Sequence, residues 1–259
     1  MKYQDTIYYK DELNDDFAGM NIEFNPLPKS YRYISKGLTR KFCDFFIYRI
    51  IARPITFFYM RLKFHYKLKN KKILKEMRHK GCFIYSNHTM AIGDAFSCND
   101  VFKIKKNYIV VGKETASLTL ILPLLRALGS LPINDSVKSK KDLYKAISLR
   151  LKQHRSITIF PERHIWPYYN KIRPFSFETF KYPARLNVPI VVLTNCYQKK
   201  KFGHRPKIKG YLSGPIYPDM SLSPNDRAMK MRDECYNLMV ENATKYSTYS
   251  YFNYVKVEE

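Results

Sequence analysis

Residues 82–94 read CFIYSNHTMAIGD. The first five, Cys82–Ser86, form a short aromatic and aliphatic run, which predicts a strand. His88 follows at once, and a carboxylate, Asp94, arrives just after Gly93. In open α/β sheets, ligands gather at the carboxyl ends of strands, where loops expose side chains to a crevice. A neutral imidazole placed there can take a proton from a hydroxyl. A carboxylate on its other ring nitrogen would fix the tautomer and stabilise the imidazolium that forms. Spacing is the constraint. Helical neighbours are about three or four residues apart, whereas His88 and Asp94 are six apart. On a regular helix they point away from each other, so a turn must lie between them, and Gly93 eases one. Taken alone, a His and an Asp near a strand end are an ordinary coincidence.

Working outward, YIVVG (108–112), SITIF (156–160), PIVVLTN (189–195) and KIKGYLSG (207–214) are further β-rich runs with turn residues nearby. Between them lie an apolar stretch, LTLILPLLRAL (118–128), and an amphipathic one with Leu143, Ile147 and Leu151 at helical spacing. A helix over about 224–244 places Ala228, Met231, Cys235, Leu238 and Met239 on a common side. This alternation predicts an α/β domain with helices covering a central sheet. Upstream, residues 1–30 form an extended lead-in ending Asn25-Pro26-Leu27-Pro28. Residues 38–66 are aromatic and aliphatic, carry Arg40, Lys41, Arg49, Arg53, Arg61 and Lys63, and are interrupted by Pro54. Basic side chains can snorkel while aromatic rings sit at headgroup level, which suits an interfacial helix pair; a core helix with its charges in water is the alternative. The tyrosine-rich tail, residues 245–259, receives no assignment, and no internal repeat is visible.

The chain has 259 residues with 46 Lys plus Arg against 22 Asp plus Glu, a formal net charge of +24. Such a chain is attracted to polyanions: nucleic acid, an anionic bilayer, or acidic small molecules and carrier proteins. The five cysteines are scattered and lack the short spacing of a zinc or redox pair, so they read as reduced, buried thiols. His79, His154, His164 and His204 show no metal-ligand pattern and are treated as surface or structural. The polar start Met1-Lys2-Tyr3-Gln4-Asp5 does not read as a secretory signal, and no stretch offers the roughly 18 apolar residues of a spanning helix. The expected location is peripheral, on the cytoplasmic face of a membrane.

Residues 85–94 resemble the first motif of the glycerophospholipid acyltransferase family, which contains the lysophosphatidate acyltransferases: Asn-His, four residues, then Asp. Phe160-Pro161-Glu162 matches the start of that family's Phe-Pro-Glu-Gly-Thr block, and Val188-Pro189-Ile190-Val191 its late Val-Pro-Ile-Val segment, with Phe175 ahead of it. Gly129-Ser130-Leu131-Pro132-Ile133 falls where the family has a Gly-x-x-Phe-Ile-x-Arg strand. The blocks keep their order over roughly residues 80–215. The chain also departs from the pattern. Five residues separate His88 from Asp94, Asp135 stands where the second motif carries Arg, and Arg163-His164 replace Gly-Thr.

The resemblance implies direct acyl transfer with no covalent enzyme intermediate. His88 would act as general base on an acceptor hydroxyl and Asp94 would orient it. Glu162 and Gly129 would belong to the acceptor-binding blocks. Because the family's Arg is missing, Arg163, Lys171 and Arg173 are the candidates to grip an acceptor phosphate. No cofactor or metal is implied; the donor would be acyl-CoA or acyl carrier protein. The expected partners are that donor, a lysophospholipid-like acceptor and an anionic membrane surface. A non-phosphorylated lipid alcohol as acceptor, or a non-catalytic lipid-binding role, are the alternatives. A nucleic-acid-binding module is the rival from another class, but no zinc pattern, RNA-recognition signature or recognition helix accompanies the charge. The expected organisation is an α/β domain with a central mixed, mostly parallel sheet covered by helices. Its lead-in and amphipathic membrane-surface helices occupy residues 1–66, and the acyltransferase domain residues 67–259.

Overall fold

Nine strands and eight α-helices are described in the computed structural model, which covers residues 5–17, 27–28, 31–35, 37–113 and 117–257. The β-rich runs of the sequence become β3 (Cys82–Ser86), β4 (Asn107–Val111), β6 (Ser156–Ile159), β7 (Ile190–Gln198) and β8 (Lys207–Ile216). Two strands of three residues, β2 (Lys67–Lys69) and β5 (Ser130–Pro132), complete a seven-stranded sheet of order β2-β8-β7-β3-β6-β4-β5. All neighbours run parallel except β7 and β8, which form an antiparallel pair. The sheet is therefore mixed and mostly parallel, and β3 lies at its centre with every residue buried.

Alternation along the strands sends side chains to two cores. On one face Phe83, Tyr85, Ile157, Ile159, Ile190 and Val192 pack against α6 (Val137–Lys152) and α8 (Pro224–Tyr246) through Leu143, Ile147, Leu151, Met231, Cys235 and Met239. On the other, Cys82, Ile84, Val191 and Leu193 meet Met60, Phe64, Met90 and Cys98. These come from α2 (Arg53–Phe64), α4 (Ala91–Asn99) and the loop that precedes α4. Both long helices start on a serine whose hydroxyl accepts a backbone N–H three residues on, Ser136 from Ser139 at 3.1 Å and Ser223 from Asp226 at 3.3 Å.

Pro54 does not split the basic apolar segment into two separate helices. α1 (Leu38–Phe46) runs through a π-helical stretch, Ile47–Ala52, into α2, and Pro54 sits in the first turn of α2, where its missing N–H is least needed. The 118–128 stretch forms a 3₁₀ turn, Thr119–Ile121, followed by α5 (Leu122–Ala127). The remaining short helices are α3 (Ile73–Met77) and α7 (Lys181–Leu186). Asn25 and Pro26 of the expected lead-in lie outside the described residues. The unassigned tail forms β9 (Asn253–Lys256), which pairs in parallel with β1 (Thr6–Tyr9) in a small separate sheet. Four cysteines are buried, Cys43 is exposed, and all are free thiols.

Gly129 proves to be a backbone device. It adopts φ +100°, and a Cβ there would lie 2.6 Å from the Asn107 carbonyl oxygen. Its own carbonyl accepts the Ile109 N–H at 2.9 Å, so it seats the start of β5 against β4. That start is the end of the sheet opposite to His88. Gly129→Ala is expected to lower unfolding stability by roughly 1–3 kcal/mol, through left-handed strain and a backbone clash. Urea denaturation reads this directly; an unchanged midpoint would contradict the packing argument.

Candidate active site

The carboxyl end of β3 leads straight into the site. Residues 87–90 belong to no regular element, and α4 starts at Ala91 after Met90, which is extended in the N-cap position. The change of direction needed between His88 and Asp94 therefore occurs before the helix, and Gly93 lies within it. Asp94, in the first turn, folds back over the helix start. Its Oδ2 accepts from His88 Nδ1, Thr89 N–H and Met90 N–H, each at 2.8 Å. Backbone donors and the positive end of the helix both favour a carboxylate at this place. The Asp94 side chain has no exposed surface. Burial pushes its carboxyl up from the usual range, and the hydrogen bond and charge of His88 lead the opposing effects, with the Met90 and Thr89 N–H groups adding to them.

A carboxylate oxygen can only accept, so His88 carries its proton on Nδ1 and turns Nε2 outward as a lone pair. Nε2 has no partner among the described residues, and the ring is 16% exposed. One face of the imidazole stacks on Phe160, with centroids 4.4 Å apart and planes 14° apart. Asn195 on β7 completes the surroundings. It approaches Asp94 Oδ1 at 3.5 Å and Ser97 Oγ at 3.2 Å, and it exchanges two hydrogen bonds with Asn87, at 2.8 and 3.1 Å. The arrangement holds one imidazole nitrogen ready to take a proton.

Glu162 lies behind the imidazole and not in an open pocket. Its Oε2 accepts the His88 backbone N–H at 2.8 Å and its Oε1 the Arg173 N–H at 2.9 Å. The Arg173 guanidinium stands 3.8 Å from Oε2, and the two side chains are 0% and 1% exposed. Burial pushes the Glu162 carboxyl up and the Arg173 guanidinium down; each opposes this in its partner through its charge. Arg173 also donates to the carbonyls of Glu12 at 3.2 Å, Glu162 at 3.3 Å, and His164. With its donors turned inward it has no face for a substrate phosphate. Arg163 and Lys171 are exposed, and Arg163 takes a left-handed φ of 66° in the loop after β6. Asp135, where an Arg was sought, pairs with Lys113 at the surface.

Sequence reasoning missed a brace built from both termini. Trp166 N–H donates to the His88 carbonyl at 3.1 Å, and Tyr168 N–H to that of Thr89 at 2.8 Å. The Trp166 ring is buried between the Arg173 guanidinium, 4.9 Å away, and Tyr254 of β9, stacked at 5.1 Å. Its indole N–H donates to the Asp15 carbonyl at 2.7 Å, and Tyr254 OH to that of Pro167 at 2.8 Å. A lone Trp and a tyrosine-rich tail were the available signals.

The sequence profile of the family described as Acyltransferase matches residues 65–194, from just before β2 into β7. No curated protein matches the chain. Among solved structures, the 1-acyl-sn-glycerophosphate (LPA) acyltransferase PlsC from Thermotoga maritima is similar in fold. Its TM-score is 0.53 at 12% identity, over 81% of this chain and 89% of that one.

Removing one member of a buried ion pair strands the other charge, whereas replacing both with apolar groups can be nearly neutral. Glu162→Ala and Arg173→Met are therefore each expected to cost about 3–5 kcal/mol of unfolding stability, and the double variant Glu162→Leu/Arg173→Met less than their sum, although the His88 and Arg173 N–H groups it strands keep its loss well above zero. Urea melts of the three proteins check this. A double-variant loss equal to the sum of the two single losses would mean that the pair does not act as a unit.

Proposed function

This chain belongs to the Acyltransferase family, and on that premise we propose that it moves a fatty acyl group from a thioester onto a lipid-like alcohol. The acceptor in this reading is a lysophospholipid such as 1-acylglycerol-3-phosphate, and the donor acyl-CoA or acyl carrier protein. The observation that carries the proposal is the 2.8 Å contact between His88 Nδ1 and Asp94, with Nε2 left unpaired. The acceptor O–H gives its proton to Nε2 as its oxygen attacks the thioester carbonyl. The new C–O bond forms, the C–S bond breaks, and the imidazolium returns the proton to the departing sulfur. Asp94 stabilises the imidazolium between these events. Glu162 and Arg173 act as positioning residues, holding the His88 backbone from behind.

A second acceptor class has specific support. Arg173 is buried, and Asp135 replaces the expected Arg. Only Arg163 and Lys171, of the cations proposed for a phosphate, remain exposed. A non-phosphorylated lipid alcohol is therefore the second reading.

The N-terminal helices support work at a bilayer surface. Phe42, Phe45, Ile50, Ile55, Phe58 and Leu62 are exposed along α1, the π-helical stretch and α2, interspersed with Arg40, Lys41 and Lys63. Leu120 and Leu124 extend the apolar surface at α5, which is tied to α1 by Arg126 and Asp44 at 3.4 Å. No helix among the described residues is long and apolar enough to cross a membrane. In this reading the helices lie along the interface, with their cations toward anionic headgroups.

Thiol release from palmitoyl-CoA should depend on lysophosphatidate in detergent micelles. It should vanish in His88→Ala and fall roughly 10²–10⁴-fold in kcat in Asp94→Asn. Release that persists in His88→Ala removes the imidazole from the mechanism. Release only with an uncharged acyl-glycerol selects the second reading. A Phe42→Glu/Ile50→Glu/Phe58→Glu variant should keep its melting temperature, since these side chains are exposed, yet fail to sediment with phosphatidylglycerol vesicles. Unchanged sedimentation would remove the helical face from membrane docking.

A further inference from the structure

At the end of the sheet opposite to His88, a cavity of about 540 Å³ opens between the loops that precede β3, β4 and β6. Lys71, Arg78, His79, Lys103, His154 and Arg155 stand around it. Among the described residues none of these six side chains has a hydrogen-bond or ion-pair partner. The lining holds one carboxylate, Asp100, which is already engaged by Arg61 at 2.9 Å. Lys105, on the wall, is buried and held by the Met77 and Lys80 carbonyls, so its charge is fixed in place. Leu68, Leu74 and Phe102 give the cavity an apolar side.

Unpaired cations around a concave apolar surface repel one another and raise the local concentration of anions. Arg78 and Arg155 can each present two parallel N–H donors to a phosphate. The volume lies in the range of small-ligand sites, and the apolar wall has room for a short stretch of hydrocarbon. The cavity wall is also joined to the exposed helical face. Arg49 donates to the Lys103 carbonyl at 2.7 Å and Arg53 to that of Phe102 at 2.9 Å. Ile104, on the same loop, is 65% exposed.

We propose that this cavity is a second anion site, separate from the catalytic centre, that takes the phosphate of a glycerophosphate ester of net negative charge. The source is either a lipid headgroup or a soluble ester. Five strand residues separate the cavity from the loop bearing His88, a span of roughly 16 Å, so an ester held here cannot have its hydroxyl at Nε2. The site therefore anchors or regulates and does not hold the reacting acceptor.

Calorimetric titration of the full chain tests this with three probes: sn-glycerol 3-phosphate, and dihexanoyl-phosphatidylglycerol and dihexanoyl-phosphatidylcholine below their micellar concentrations. The anionic lipid is expected to bind, to weaken as salt rises, and to weaken at least tenfold in Arg78→Glu/Arg155→Glu, while binding equally well to His88→Ala. Equal binding of glycerol 3-phosphate would support the site and assign it to the soluble ester. Lys71→Glu/Lys103→Glu should weaken binding in the same way and guards against a misfolded first variant. Equal binding of the phosphatidylcholine, or binding that survives both charge reversals, would overturn the proposal. Loss of binding in His88→Ala would do so too, by placing the ligand at the catalytic centre.

Discussion

A single buried oxygen, Asp94 Oδ2, accepts three donors at 2.8 Å, and the site is arranged around that constraint. Two donors are backbone N–H groups at the start of α4, and the third is the His88 ring. The contact therefore joins the helix N-terminus to the end of β3 and sets the imidazole tautomer in one place. A buried carboxylate is tolerable only where hydrogen bonds and charge replace its lost water. Here His88 leads that replacement and the Thr89 and Met90 N–H groups add to it, so Asp94 keeps two fixed donors while the imidazole gains and releases a proton.

The second buried carboxylate holds the same histidine by its backbone. Glu162 reaches no solvent, but it holds the backbone N–H of the residue whose ring Asp94 holds. Fixed at both its backbone and its Nδ1, and stacked on Phe160, the His88 imidazole has little freedom to turn Nε2 away. The Trp166 brace and its partners from both termini press the same loop from outside. Preorganisation of this kind favours proton transfer because little reordering is left for the reaction itself.

The parallel strands were legible because fully buried β3, β6 and β7 are near-continuous β-branched and aromatic runs. The sheet order was not legible, since it depends on packing between distant segments. The β1–β9 pair escaped notice because four residues at each end of the chain carry no pattern stronger than a loop's. His88 and Asp94 could be singled out from type and position, although the turn that joins them comes from where α4 begins and not from Gly93. Glu162 and Arg173 were found as residues yet expected in a pocket; whether a charged side chain faces substrate or a buried partner is a matter of burial, which one sequence does not encode locally. Gly129 is required by a neighbouring backbone, and in sequence such a glycine looks the same as one required by a ligand.

The charge of the chain is divided among different tasks. Arg173 is spent inside, Arg49 and Arg53 bind loop carbonyls, and the cations along α1 and around the lower cavity remain free for anions. None of this matters to catalysis unless His88 presents a lone pair on Nε2. Two-dimensional ¹⁵N–¹H spectra of the histidine side chains, with His88 assigned from His88→Ala, measure that state directly. A neutral ring with its proton on Nδ1, shifting to a mixture of tautomers in Asp94→Asn, is the expected result. A ring protonated on Nε2 in the unaltered protein would contradict the role of His88 as the base.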